Sequence, residues 1–188
     1  ICIGGCPMGM YGWGKTNMDD LTASVQAAFE SGINFFDTAA TYGLGVSETI
    51  LGKALGKNRS KVVISDKFGV RAEQGKPTVY DNSKEYIISA CEESLKRLGT
   101  DYIDIYTVHY RDGVTPLAEV VQTLETLRSQ GKIRYFALSN VHACDMDEIR
   151  ECSKYFVSVQ NEYSLACRKF ESELLAFRDE YGLTPLTW

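Results

Sequence analysis

Short, almost uninterrupted apolar runs alternate along this chain with stretches whose apolar residues recur every three to four positions. The runs at residues 1–4, 33–36, 62–65, 103–108, 133–138, 157–160 and 183–188 read as strands. A run without polar alternation marks a strand buried on both faces, as in a parallel sheet covered by helices. Between the runs lie amphipathic helices. Leu21, Val25, Ala28 and Phe29 share one face, and Gly32 stops that helix. Ile50, Leu51, Ala54 and Leu55 follow Ser47, the expected N-cap. Ile87, Ile88, Cys91, Leu95 and Leu98 lie between Ser83 and Gly99. Pro116 opens a helix carrying Leu117, Val120, Val121, Leu124 and Leu127, closed by Gly131. A weaker helix carries Met146, Ile149 and Cys152. The last carries Phe170, Leu174, Leu175 and Phe177 and ends near Gly182.

Strand and helix repeated at this spacing are βα units. An open doubly wound sheet that binds a dinucleotide would carry G-x-G-x-x-G at its first turn. Gly4, Gly5, Gly9, Gly12 and Gly14 do not have that spacing, and they are expected in a loop over the mouth of a closed barrel. The predicted fold is therefore a (β/α)8 TIM barrel, one incomplete domain over residues 1–188 with about seven of the eight strands. The missing strand and helix are expected beyond Trp188, and the chain is expected to be part of a longer protein.

Composition narrows the partners. A formal net charge of -5 without a basic cluster argues against nucleic acid. The pairs Lys96–Arg97 and Arg168–Lys169 read as solvated helix faces. Six cysteines without a Cys-x-x-Cys pair, and only two histidines, argue against a metal site. In a chain of this size they are expected as free thiols in a reducing cytoplasmic setting. No apolar run approaches the ~20 residues of a membrane span.

In a βα barrel the chemistry sits at the C-terminal ends of the strands. Asp37 follows the second run, Asp66 and Lys67 the third, His109 the fourth, Ser139 and Asn140 the fifth, and Gln160 closes the sixth. Tyr42 lies five residues past Asp37. Singly, each has an ordinary structural role; an acid, a lysine and a histidine at three consecutive strand ends converge on one mouth. The set suits carbonyl reduction. A phenol titrates near 10, too high for efficient proton exchange at neutrality, and the Lys67 ammonium is expected to lower it. Asp37 would hold Lys67 charged, His109 would orient a carbonyl oxygen, and Tyr42 would donate a proton to it.

The segments DTAATYG (37–43), DKFG (66–69), VHYRD (108–112), ALSN (137–140) and QNEYSL (160–165) occur in this order, and together they resemble the motifs of the aldo-keto reductases. The resemblance runs from end to end. It implies a catalytic tetrad of Asp37, Tyr42, Lys67 and His109, with Tyr42 as proton donor. It implies that Ser139, Asn140 and Gln160 hydrogen-bond a nicotinamide carboxamide, and that Trp188 stacks on the nicotinamide ring. Asp37 also belongs to the implied cofactor site. The implied cofactor is NADPH/NADP+, with NADH left open. The implied substrate is a small-molecule aldehyde, ketone or sugar carbonyl. Residues 72–82, long and polar, are expected on the substrate side. Two departures are small: Tyr110 follows His109 where many relatives have arginine or tryptophan, and Ala-Leu-Ser precedes Asn140 in place of Gly-Val-Ser.

Three other readings compete. A cofactor-binding regulatory subunit, resembling the channel β-subunits, would show little turnover, but those relatives typically lack the histidine present here as His109. A Schiff-base aldolase needs a lysine that loses its proton readily, which an Asp37 partner opposes. A domain without activity is at odds with an intact tetrad.

Overall fold

The computed structural model describes residues 1–10, 13–14 and 16–188. The elements run β1 (Ile3–Gly4), α1 (Met18–Glu30), β2 (Phe35–Asp37), α2 (Val46–Leu55), β3 (Val63–Phe68), β4 (Val70–Arg71), β5 (Val79–Tyr80) and α3 (Lys84–Leu98). They continue with β6 (Ile103–Val108), α4 (Leu117–Ser129), β7 (Ile133–Ser139), α5 (Met146–Cys152), β8 (Phe156–Asn161), α6 (Glu171–Tyr181) and β9 (Thr184–Thr187). Seven strands form one sheet in the order β1-β2-β3-β6-β7-β8-β9, and every pairing is parallel. The two-stranded antiparallel hairpin β4–β5 stands apart from it. No helix among the described residues is long and apolar enough to cross a membrane.

One hydrogen bond shows how the sheet curves. Gln160 on β8 donates its Nε2 to Asp37 Oδ1 on β2 at 3.1 Å. Across a flat sheet four strand spacings, roughly 19 Å, would separate them. The sheet therefore curls round an interior that both side chains enter, and it forms a partial (β/α)8 barrel. Cys2 and Gly4 at one end of the sheet and Pro185 to Trp188 at the other line a single cleft of about 400 Å³.

Helices coat the outside for the reason their periodicity gives. In α3 the residues Ile87, Ala90, Cys91, Ser94, Leu95 and Leu98 are buried, a stripe at helical spacing. The Ser83 hydroxyl accepts from the Tyr86 N–H at its start, and Gly99 ends it at φ 63°. In α4 the buried stripe is Leu117, Val120, Val121, Thr123, Leu124 and Leu127. Each such aliphatic side chain contributes about 1.5–3 kcal/mol when withdrawn from water.

Several expectations need correction. Asp37 and Ser139 are the last residues of β2 and β7 rather than the first after them, and β3 runs on past Lys67 to Phe68. Lys67 finds its partners within the barrel, so it does not end β3. Ser47 is not an N-cap, because α2 starts from Gly45 at φ 93° and Ser47 is buried in its first turn. Residues 72–82 are not simply a polar loop, since they include β5. Arg97 does not lie on a solvated face but reaches the buried carboxylate of Glu48, Nε to Oε2 at 2.6 Å. Gly5 and Gly9 follow β1 and pack against the segment after β2 that carries Tyr42. Gly12 lies outside the described residues.

At the opposite end of the barrel from the strand C-termini, Asp104 acts as a clamp. Its carboxylate accepts from Ile64 N (3.0 Å), Arg59 (2.7 Å) and Arg134 (2.9 Å), tying β3 to β6 and β7. Both guanidiniums also lie over the Tyr102 ring, at 4.1 and 4.0 Å from its centroid. Removing a buried carboxylate strands its partners. Asp104→Ala should therefore lower the stability of the full-length polypeptide by about 3 kcal/mol in urea unfolding. A loss below about 0.5 kcal/mol would show that the clamp is not needed.

Candidate active site

Lys67 is the centre of the site. It points into the barrel from β3 and is 3% exposed. Its Nζ donates to Asp37 Oδ2 at 2.5 Å, to Thr38 O at 3.0 Å and to Tyr42 Oη at 3.3 Å. An ammonium has three protons, and each finds an acceptor. Burial alone would pull the Lys67 pKa down, but Asp37 and Tyr42 together outweigh it and hold the pKa above its ordinary value. A lysine so satisfied stays charged, which removes the Schiff-base reading.

Neighbouring side chains on β3 alternate. Asp66 faces the helix layer, where it is fully buried near Glu48. Burial, then the Glu48 carboxylate, pushes its carboxyl well above the usual range.

Tyr42 sits on a turn whose path is fixed by two glycines. A Cβ on Gly9 would lie 2.5 Å from Gly43 N, and one on Gly43 would lie 2.5 Å from Gly9 O. Gly43 also takes φ 64°, a conformation side chains disfavour. Ser47 anchors the same turn, donating to Gly5 O at 2.9 Å with its Oγ 2.9 Å from Thr38 Oγ1. Because Lys67 can only donate, the Tyr42 oxygen accepts from it, and the phenol proton is left to point elsewhere. Burial raises the Tyr42 pKa, and the Lys67 ammonium opposes this without overcoming it. The expectation of a lowered pKa is therefore corrected: desolvation wins and Tyr42 is a phenol at neutrality.

His109 follows β6 and stands edge-on to Tyr42, ring centroids 6.0 Å apart and planes at 89°. Burial, then the Lys67 ammonium, lowers its pKa to about 3, so the ring is neutral and offers one N–H and one lone pair. Asn140 Nδ2 donates to His109 O at 3.0 Å and to Ser139 Oγ at 3.0 Å. Asn140 takes φ 53°, a left-handed conformation that asparagine tolerates better than most residues. Ser139 spends its proton on Gln160 O at 2.8 Å. Trp188, at the end of β9, is 56% exposed and lines the cleft with Asp37 and Gln160.

The structure thus brings Asp37, Tyr42, Lys67 and His109 together, with Ser139, Asn140 and Gln160 beside them and Trp188 at the rim of the cleft. Sequence reasoning did not single out the Gly9–Gly43 approach, nor a pairing between Asn82 and Asp112. Asn82 N donates to Asp112 Oδ2, and Asp112 N donates to Asn82 Oδ1, both at 2.9 Å. Asn82 Nδ2 also donates to Tyr110 O at 3.1 Å. The pair ties the hairpin to the loop that carries His109. Its one advance signal was the aspartate of VHYRD.

The Aldo/keto reductase family model matches residues 1–188. The aldo-keto reductase YhdN of Bacillus subtilis is 33% identical over 190 residues, covering 100% of this chain and 57% of its own length. The NADH-specific methylglyoxal reductase of Escherichia coli is 39% identical over 175 residues, covering 85% of this chain and 53% of its own length. A solved aldo/keto reductase from Klebsiella pneumoniae, in complex with NADP and acetate, superposes with a TM-score of 0.82 at 30% identity, covering 99% of this chain and 62% of that one. The chain spans little more than half the length of these curated relatives. A match over its whole length, on a curled parallel sheet, shows that this chain belongs to the aldo/keto reductase family.

Proposed function

We propose that the full-length polypeptide is an NAD(P)H-dependent reductase that converts an aldehyde, ketone or sugar carbonyl to an alcohol. The observation that carries this reading is the buried Lys67 ammonium bound at once by Asp37 and the Tyr42 phenol. Such a lysine serves a phenol that must give up a proton and survive briefly as phenolate.

The residues present fit a nicotinamide. Its carboxamide offers an NH2 donor, and the amide oxygens of Asn140 and Gln160 accept no hydrogen bond from the described residues, their NH2 groups being engaged elsewhere. Ser139 steadies Asn140 and keeps a lone pair for the same group. Asp37 closes the floor of the cleft, and Trp188 supplies a flat face at its rim. NADPH is the expected partner. The NADH specificity of the Escherichia coli relative keeps NADH open. Six free thiols agree with a reducing cytoplasmic setting.

When bound, the reduced cofactor supplies hydride to the carbonyl carbon. The carbonyl oxygen would lie where the Tyr42 hydroxyl and the His109 ring edge converge. Neutral His109 donates a hydrogen bond to it and fixes its direction. Tyr42 transfers its proton to that oxygen as charge develops there. The phenolate left behind lies beside the Lys67 ammonium, which Asp37 holds in place. A proton from water restores the phenol. The regulatory-subunit reading finds no support in the site, which has every group this sequence needs.

Tyr42→Phe should lower turnover on carbonyl substrates by about 10²–10⁴ while NADPH still quenches protein fluorescence. Unchanged turnover would refute Tyr42 as proton donor. The pH profile gives a second test. With His109 neutral down to about 3, kcat/KM for reduction should be flat from about pH 5 to 8. It should fall only as pH rises through the raised Tyr42 pKa, where the phenol proton is lost. A sigmoid near pH 6.5 would show that His109 titrates and acts as an imidazolium.

A further inference from the structure

The ring of His109 does not end the aromatic surface at the mouth. Tyr110 packs on it with centroids 5.0 Å apart and planes at 32°. Tyr80, on β5, packs on Tyr110 at 5.2 Å and 33°. With Tyr42 edge-on to His109, four rings form one row from the proton donor to the hairpin. All these spacings lie within the range of favourable aromatic contact. The row is rigid at its outer end. Asn82 is fully buried; it and Asp112 each donate a backbone N–H to the other's side-chain oxygen, and its Nδ2 donates to Tyr110 O. Asp81 N donates to Gly69 O at 3.1 Å, closing the hairpin at its base. Tyr80 is nevertheless 50% exposed, a large apolar face left in water at the end of a braced row that begins at the reacting atoms.

A lone exposed tyrosine needs no explanation. A preorganised row leading away from the reaction centre is a wall along which a substrate can lie with little ordering cost. Two ring steps, 5.0 and 5.2 Å, separate His109 from Tyr80. A three-carbon carbonyl held at His109 stops short of Tyr80, whereas a fused aryl group reaches it. We propose that Tyr80 is a specificity residue, the outer wall of the substrate site, and that it favours carbonyl compounds bearing an extended aromatic group. This rests on the reductase reading of the same site.

The test compares 2-naphthaldehyde with propanal in the full-length polypeptide with NADPH. Tyr80→Ala should raise KM for 2-naphthaldehyde about three- to tenfold and leave both parameters for propanal within about twofold. Tyr80→Phe, which keeps the ring, should restore the aryl KM. Equal losses for both aldehydes in Tyr80→Ala would show that Tyr80 only braces the hairpin. That result overturns the inference while the reductase reading stands. An unchanged naphthaldehyde KM also overturns the inference alone. No reduction of either aldehyde by the wild type would bring down the reductase reading, and this inference with it.

Discussion

A charged ammonium in the interior of a barrel is the constraint round which this molecule is arranged. Removing Lys67 from water costs several kcal/mol unless every proton is met and an anion lies in contact. Asp37, Thr38 O and Tyr42 Oη meet those needs from one neighbouring strand and the turn that follows it. The pair in turn requires that β2 and β3 lie side by side in register, Asp37 opposite Ser65. It also requires that the turn bring Tyr42 back over Lys67. Gly9 and Gly43 allow that return by letting two backbones approach where no side chain fits. Gln160, reaching across the interior to Asp37, ties the curvature of the whole sheet to the same carboxylate.

The electrostatics of the site follow from this centre. The carboxylate in contact with the Lys67 charge is Asp37, while burial and Glu48 push the Asp66 carboxyl well above its usual range on the far side of β3. The same ammonium adds to burial in keeping His109 neutral, and it works against burial at Tyr42. Two neighbours of one cation thus end in complementary states, a neutral imidazole that orients and a phenol that holds its proton. Desolvation is the larger effect at both. The ammonium therefore matters most after proton transfer, when it faces a phenolate.

Much of this was legible in the chain because parallel strands coated on both faces leave an unmistakable apolar run. Asp37, Lys67, His109, Asn140 and Gln160 stood out because each interrupts or follows such a run. That logic also ended strands too early. A polar residue normally stops a buried strand, yet Lys67 continues β3 because its partners lie inside the barrel. The hairpin was hidden because β4 and β5 have two residues each, too few to show alternation. Ser47 passed for an N-cap because the left-handed Gly45 that starts α2 carries no side-chain signal. The buried pairing of Arg97 with Glu48 and the Asn82–Asp112 clasp join residues 30 or more positions apart, which local pattern does not encode. The direction of the Tyr42 shift depended on burial, a quantity set by packing and not by spacing.

The central claim is that Lys67 lowers the cost of a phenolate at Tyr42. The most direct test follows alcohol oxidation with NADP+ as a function of pH in wild type and Lys67→Met, since oxidation requires Tyr42 to begin as phenolate. The account predicts that the rise in rate with pH moves to higher pH in the variant, because the ammonium that opposed desolvation is gone. A rise at the same pH in both would contradict it, and would mean that the proton leaves from a group other than Tyr42.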